Sequence, residues 1–183
     1  MVLSRITGAF EGIKSRLAHL PVESFVRMDG RGMRDKSYKV MLDFLNRHPK
    51  DRHILIAAAN DTSAMGAIAA IVELGREKHV AVVGQDCLPE MMSEMKRPGS
   101  PAIGSISHEV AQYGPRLIEL GLALLRGETV APYNYVEHIA MVAERNSAAI
   151  TGKIKRAALK QPNSKARSTI AAPIGASHGR KRN

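Results

Sequence analysis

Three apolar runs in this chain each end in a group of polar residues. The segments are Ala58-Ala59-Asn60-Asp61, Val82-Val83-Gly84-Gln85-Asp86 and Gly104-Ser105-Ile106-Ser107-His108. Helical patterns lie between them, and strands that alternate with helices are typical of an α/β fold with a parallel sheet between two layers of helices. Because right-handed crossovers bring the carboxyl ends of parallel strands to one edge of the sheet, we expect the three polar tips to meet there. Open α/β sheets bind small molecules at that edge.

The spacing of apolar residues and the positions of turn residues predict the order of the elements. Helices are expected over residues 4–20, 64–74, 88–95 and 109–126, with a further helix that Asp35 caps and that ends before residues 47–50. Strands are expected over residues 24–28, 53–59, 79–83, 103–107 and 134–142. The predicted fold class is therefore a three-layer α/β/α domain built on a parallel sheet.

Positive charge is concentrated at the carboxyl end of the chain. The formal net charge is +10, but residues 152–183 hold nine Lys and Arg and no acidic residue, which leaves 18 basic and 17 acidic residues elsewhere. A folded part that is nearly neutral argues against a nucleic-acid-binding surface. We expect one folded domain over residues 1–146 and a basic, disordered tail over residues 147–183.

Signatures of catalysis and of metal binding are not found in the sequence. The single cysteine, Cys87, cannot form an internal disulfide or a cysteine zinc cluster, and the neighbouring Asp86 disfavours its thiolate. The sequence has no nucleotide-binding glycine loop, nucleophile elbow or paired-histidine metal motif. We therefore predict a binding protein without a catalytic residue, metal or cofactor. Neither a signal peptide nor a membrane-spanning run is recognisable, so the chain as written is expected in the cytoplasm.

Polar residues at the three tips, together with one arginine, are candidates for ligand contact, and each has a structural alternative. Asn60 and Asp61 follow the first run, where a helix cap explains one of them and leaves the other for a ligand. Asp86 is either a turn residue or an acceptor for two hydroxyl groups. Arg5 lies on the first turn of a helix. Its guanidinium group is either solvated or donates hydrogen bonds to a sugar. His108 is either a structural histidine or a polar contact.

The order of several short motifs resembles one known family. The motifs are Arg5-Ile6-Thr7-Gly8, Ala59-Asn60-Asp61 followed by Ala64-Met65-Gly66-Ala67, Val83-Gly84-Gln85-Asp86, and Ser105-Ile106-Ser107-His108 followed by Tyr113-Gly114. With this order and spacing the chain resembles, from about Val2 to Val142, the type I periplasmic sugar-binding proteins of ABC transporters. The ligand-sensing domains of lactose-repressor-type regulators share that fold and are the alternative.

The resemblance implies a site for a small sugar or a related polyol. In the family, residues at the positions of Arg5, Asn60 and Asp86 hydrogen-bond the hydroxyl groups of the sugar, and His108 stands where a further polar residue closes the site. Many members also stack an aromatic side chain on the sugar, whereas residues 29–33 contain none here. The implied role is that of the solute-binding component of an ABC-type sugar uptake system. Intact members are periplasmic and have a membrane permease as partner.

The resemblance also implies that part of the family's fold is missing. A full member has two lobes with the ligand between them, and this chain corresponds to the carboxyl-terminal lobe plus one crossover segment. We therefore expect a truncated form that binds sugar weakly, because it supplies about half of the contacts. Four leucines would then lack their packing partner and form an exposed apolar face: Leu117, Leu120, Leu124 and Leu125. A regulator would bind with the same residues but signal through dimer contacts.

Overall fold

Strands and helices alternate through most of the chain, as the apolar spacing predicts. A computed structural model describes residues 2–144. The helices are α1 (Val2–Arg16), α2 (Arg34–Arg47), α3 (Asp61–Glu73), α4 (Pro89–Lys96) and α5 (Tyr113–Leu125). The strands are β1 (Ile54–Ala57), β2 (Val80–Gln85), β3 (Ala102–Ser107) and β4 (Ile139–Val142). Short 3₁₀ helices span Val22–Ser24, Glu77–His79 and Val110–Gln112.

The strands of residues 2–144 form one four-stranded sheet in the order β1-β2-β3-β4. β1 pairs with β2 and β2 pairs with β3 in parallel, and helices lie on both sides of the sheet, so the α/β/α class is confirmed. β4 runs antiparallel to β3 at the sheet edge, with Ile139 opposite Ser107. The chain thus leaves the carboxyl-terminal edge after Ser107 and re-enters the sheet at that same edge. The residue pattern of β4 carries no signal for its direction, which the pairing alone reveals.

The hydrophobic core lies where α2 packs against α3 and where α3 packs against the sheet. Met41 and Leu45 of α2 and Ile71 of α3 are at most 2% exposed, and burial of their apolar surface stabilises this arrangement. The two helices approach closely at Gly66, where a Cβ atom would collide with the carbonyl group of Arg34. This packing holds the amino-terminal end of α3, and with it the first polar tip, at the edge of the sheet.

The strand predicted over residues 24–28 is not part of the described sheet. A 3₁₀ turn precedes an extended segment, in which Phe25 has φ −101° and ψ 102°, but the segment has no ladder partner within residues 2–144. Val26 and Met28 instead line a groove together with Phe44 of α2. The prediction of a strand is therefore wrong, because these residues lie against a helix, and β1 is the edge of the sheet.

The beginning of α2 also differs from the sequence prediction. The N-cap is Met33, which makes no side-chain capping hydrogen bond, and Asp35 lies in the first turn of the helix. A carboxylate in the first turn stabilises a helix through the helix dipole. The prediction that Asp35 is the cap is therefore wrong, although its charge favours the same end of the helix.

α5 contributes no buried side chain to the domain. The exposed fractions of Leu117, Leu124 and Leu125 are 67%, 63% and 86%, and Leu120 is half-buried. The exposed apolar face predicted for this helix is therefore confirmed.

The chain divides into two units, Met1–Ser147 and Ala148–Asn183. The tail expected over residues 147–183 lies outside the described residues, so its disorder stays a prediction. None of the helices in residues 2–144 combines the length and the hydrophobicity that a bilayer span requires.

Candidate functional site

Arg5 of α1 and Asp86, which follows β2, form an ion pair at the carboxyl-terminal edge of the sheet. Nη1 of Arg5 lies 3.1 Å from Oδ1 of Asp86 and also donates a 3.0 Å hydrogen bond to the carbonyl oxygen of Ala59. Because Ala59 follows β1, this one arginine joins the ends of two neighbouring strands to α1. The side chains of Arg5 and Asp86 are 25% and 31% exposed, which leaves both within reach of a ligand.

The backbone at Asp86 is strained. Asp86 and Cys87 have φ angles of 108° and 54°, values that residues with a Cβ atom rarely adopt. Such a conformation costs on the order of 1–3 kcal/mol, and residues that adopt it cluster at functional sites. The amide of Asp86 donates a 2.9 Å hydrogen bond to the carbonyl of Ile106, so pairing with β3 maintains the unusual turn. The strain favours a functional role for Asp86 over that of an ordinary turn residue.

His108, which follows β3, lies against the same carboxylate. Its Nε2 atom is 3.4 Å from Oδ1 of Asp86 and is buried, without hydrogen-bond geometry toward any group in residues 2–144. Its Nδ1 atom is 3.3 Å from Nε2 of His138. Burial lowers the pKa of His108, and the neighbouring Arg5 and His138 lower it further. We therefore describe His108 as a neutral imidazole at neutral pH.

His138 belongs to this cluster, although no motif or spacing in the sequence points to it. It immediately precedes β4, whose first residue Ile139 lies opposite Ser107. Because β4 is antiparallel to β3, the residue before β4 arrives beside the residue after β3, which is His108. Recognising His138 from the sequence would therefore require the direction of β4 to be known.

Asn60 serves as the cap of α3. Its side-chain oxygen accepts a 2.8 Å hydrogen bond from the amide of Ser63, and its side-chain nitrogen donates one of 3.2 Å to the carbonyl of Gly32. The capping alternative is thus confirmed. The structure brings the other three candidate residues together, whereas these two contacts tie Asn60 to α3 and to the loop before α2. Ligand contact by Asn60 stays a prediction.

Asp61 holds the strand ends together from within the protein. It is 0% exposed, and its carboxylate accepts hydrogen bonds from the amide of Leu88, at 2.7 Å, and from the hydroxyl of Ser105, at 2.8 Å. Burial raises the pKa of Asp61, and the bonds from Ser105 and Leu88 partly oppose that rise. A Cβ atom at Gly84 would collide with this carboxylate, so a larger residue does not fit there. Asp61 is therefore a structural residue beneath the site.

The cluster offers hydrogen bonds and charge to a ligand. Burial raises the pKa of the Cys87 thiol, and the charges of Asp61 and Asp86 raise it further, which disfavours a nucleophilic thiolate. No group of three His, Cys, Asp or Glu side chains within residues 2–144 is arranged to hold a metal ion. A guanidinium donor beside a carboxylate acceptor matches a ligand whose hydroxyl groups both accept and donate hydrogen bonds.

Several solved structures share this fold. An ABC transporter periplasmic solute binding protein from Actinobacillus succinogenes with bound D-allose has 21% identity and a TM-score of 0.58, over 66% of this chain and 42% of that one. A solute binding protein from Agrobacterium vitis with bound allitol has 24% identity and a TM-score of 0.56, over 66% and 41%. The 5-methylthioribose transporter solute binding protein from Thermotoga lettingae has 18% identity and a TM-score of 0.60, over 86% and 50%.

The present chain thus spans half or less of the length of these proteins. At such identities the likeness shows the fold alone, and no curated protein matches the sequence. The family model of the periplasmic binding protein domain matches residues 4–129, which include Arg5, Asn60, Asp86 and His108. Since that match covers most of the chain, the resemblance seen in the motifs is confirmed. The chain belongs to the periplasmic binding protein domain family.

Proposed function

We propose that this chain binds a small sugar or related polyol as the solute-binding component of an ABC-type uptake system. The observation that carries the proposal is the partly exposed Arg5–Asp86 ion pair, set on strained backbone at the carboxyl-terminal edge of the sheet. Open α/β sheets bind their ligands at this edge. A membrane permease as partner and a periplasmic location belong to the same proposal, because they are the setting of such uptake systems.

Arg5 and Asp86 have complementary roles toward a polyol. The guanidinium group donates hydrogen bonds and the carboxylate accepts them, so neighbouring hydroxyl groups of one ligand can use both. Oδ1 of Asp86 already faces Arg5 at 3.1 Å and His108 at 3.4 Å, so we assign Oδ2 to the ligand. His108 then acts by supporting Asp86, and Asn60 contributes through its side-chain nitrogen, which has a second hydrogen to donate.

The related structures support this class of ligand. D-allose, allitol and 5-methylthioribose are bound by three proteins that share the fold, and each of these ligands carries several hydroxyl groups. All three proteins are described as transporter components, which favours uptake over the sensing of a sugar by a transcription regulator. We expect the 183 residues on their own to bind weakly, because they span 42% of the first of these proteins.

Saturation-transfer difference NMR on the 183-residue chain tests the proposal, because the method detects weak ligands. The probes are D-allose, allitol and myo-inositol, each at the same concentration. Asp86→Asn removes a charged acceptor, a loss of about 1.5–3 kcal/mol or tenfold and more in affinity. Asp35→Asn makes the same chemical change on the exposed first turn of α2 and is the matched control.

We expect at least one probe to receive saturation from the wild-type chain and from the Asp35→Asn variant, and to lose most of it with Asp86→Asn. Equal signals from both variants would show that the sugar binds elsewhere. The absence of a signal with every probe would refute the proposed function.

A further inference from the structure

We propose that His138 is a positioning residue for the ligand-binding carboxylate of Asp86 and that it acts through His108. The inference rests on the proposed function, since it concerns the orientation of a group that binds the ligand. It assigns a role to a residue that lies outside the region matched by the family model, which ends at residue 129.

Three side chains form a continuous row at the edge of the sheet. Nε2 of His138 is 3.3 Å from Nδ1 of His108, and Nε2 of His108 is 3.4 Å from Oδ1 of Asp86. The two rings meet edge to face, at 4.6 Å between centroids and an interplanar angle of 86°. Each member comes from a different chain segment: after β2, after β3 and before β4. The row therefore joins the ligand-binding carboxylate to the edge strand β4.

The row is consistent with one arrangement of protons. A neutral imidazole carries one N–H, so one ring nitrogen of His108 donates and the other accepts. A lone pair on Nε2 facing the carboxylate oxygen would be repelled, which places the hydrogen of His108 on Nε2. Nδ1 of His108 is then an acceptor, and Nε2 of His138 must donate to it. His138 thereby selects the tautomer of His108 that turns an N–H toward Asp86.

Burial, Arg5 and His138 lower the pKa of His108 more than the carboxylates of Asp86 and Asp61 raise it, so the ring is neutral. Arg5 and Asp86 face it from α1 and from the end of β2. Asp61 lies beneath it at the start of α3, and His138 faces it from the segment before β4. Burial and the positive charge of Arg5 both disfavour a second proton on the ring. His108 therefore acts on the carboxylate as a neutral ring whose N–H dipole lies 3.4 Å from Oδ1, without hydrogen-bond geometry. Its tautomer depends on the donor that His138 supplies.

Two substitutions of His138 separate this role from simple packing. His138→Gln retains a side-chain N–H donor, whereas His138→Phe retains a ring of similar size without one. His138 is exposed, so neither change disturbs the core. The first readout is the long-range proton–nitrogen NMR correlation of the imidazole rings in the free, full-length protein above neutral pH, which reports the tautomer of each histidine.

We expect His108 to carry its hydrogen on Nε2 in the wild type and in His138→Gln, and to lose that preference in His138→Phe. Affinity for a sugar that the wild type binds should fall about fivefold in His138→Phe, the size expected for one neutral hydrogen bond, and should be restored in His138→Gln. A hydrogen on Nδ1 of His108 in the wild type would overturn the inference.

Unchanged tautomer and affinity in His138→Phe would overturn it as well. The tautomer is measured without ligand, so the two proposals fail in different ways. If the wild type bound no sugar, the proposed function would fall together with the ligand-orienting role. If the wild type bound sugar and His138→Phe bound it equally well, the role of His138 alone would fall.

Discussion

Replacing Asp61 by alanine is expected to lower the free energy of unfolding by about 2–6 kcal/mol. The carboxylate is fully buried and accepts hydrogen bonds from the amide of Leu88 and from the hydroxyl of Ser105. Alanine leaves both donors without an acceptor in a place that water does not reach. The change therefore removes the hydrogen bonds that connect the start of α3 to the segment after β2 and to β3.

The magnitude follows from the number of donors that are left unsatisfied. A buried donor without an acceptor costs about 1–3 kcal/mol, and Asp61→Ala creates two of them. Asp61→Asn is the matched control because it keeps the size of the side chain and one acceptor oxygen for Leu88. Burial raises the pKa of Asp61, which means that the protein interior disfavours the charged form. The charge of Asp61 therefore does not itself stabilise the fold. We therefore expect Asp61→Asn to cost no more than about half as much as alanine.

Urea denaturation followed by circular dichroism, at neutral pH, measures both variants against the wild type. We expect a large loss of unfolding free energy for alanine and a clearly smaller one for asparagine, with similar denaturant slopes. Equal losses for the two variants would show that charge, and not hydrogen bonding, is what stabilises this position. A loss below about 0.5 kcal/mol for alanine would show that Asp61 does not stabilise the fold.

Two further predictions concern close packing and pH. Gly84→Ala should destabilise the protein by about 1–3 kcal/mol, because the added Cβ atom meets the buried carboxylate of Asp61. Gly121→Ala on α5 should stabilise it slightly, because nothing lies within 4 Å of the added Cβ atom. Thermal denaturation measures both variants, and equal shifts of their Tm values would contradict the expected contrast. Burial lowers the pKa of His108 from 6.5, so its contribution to stability is complete above about pH 6.5 and is lost as the pH falls through the lower folded-state pKa. Unfolding measured from about pH 7 to about pH 5 should show a smaller loss for His108→Gln than for the wild type. An equal loss for the two proteins would contradict this expectation.

The meeting of Asp86 and His108 is predictable from the sequence because topology decides it. Parallel strands joined by right-handed crossovers share their carboxyl-terminal edge, so the residues that follow β2 and β3 become neighbours. Arg5 is a different case, since it is 81 positions from Asp86 and local spacing cannot place it. The motif that resembles the family indicates Arg5 as a candidate, and its ion pair with Asp86 is consistent with a place in the same site.

Features that depend on long-range packing could not be predicted from the residues. Asn60 and Asp61 are adjacent and chemically similar, yet one caps α3 and the other is buried, according to which of them faces the protein interior. Residues 24–28 have strand-like composition but lie beside a helix. His138 is found only through the antiparallel pairing of β4, which neither apolar periodicity nor a turn motif specifies.

Amide chemical shifts of the protein locate a bound polyol on its surface. The full chain, labelled with ¹⁵N, is titrated with D-allose, allitol and myo-inositol, and each shift is followed to saturation. We expect weak, saturable shifts concentrated at Arg5, Asp86 and Cys87, and we expect these shifts to be lost in the Asp86→Asn variant. Saturable shifts confined to the exposed apolar face of α5, or shifts that persist unchanged in Asp86→Asn, would contradict binding at Arg5 and Asp86.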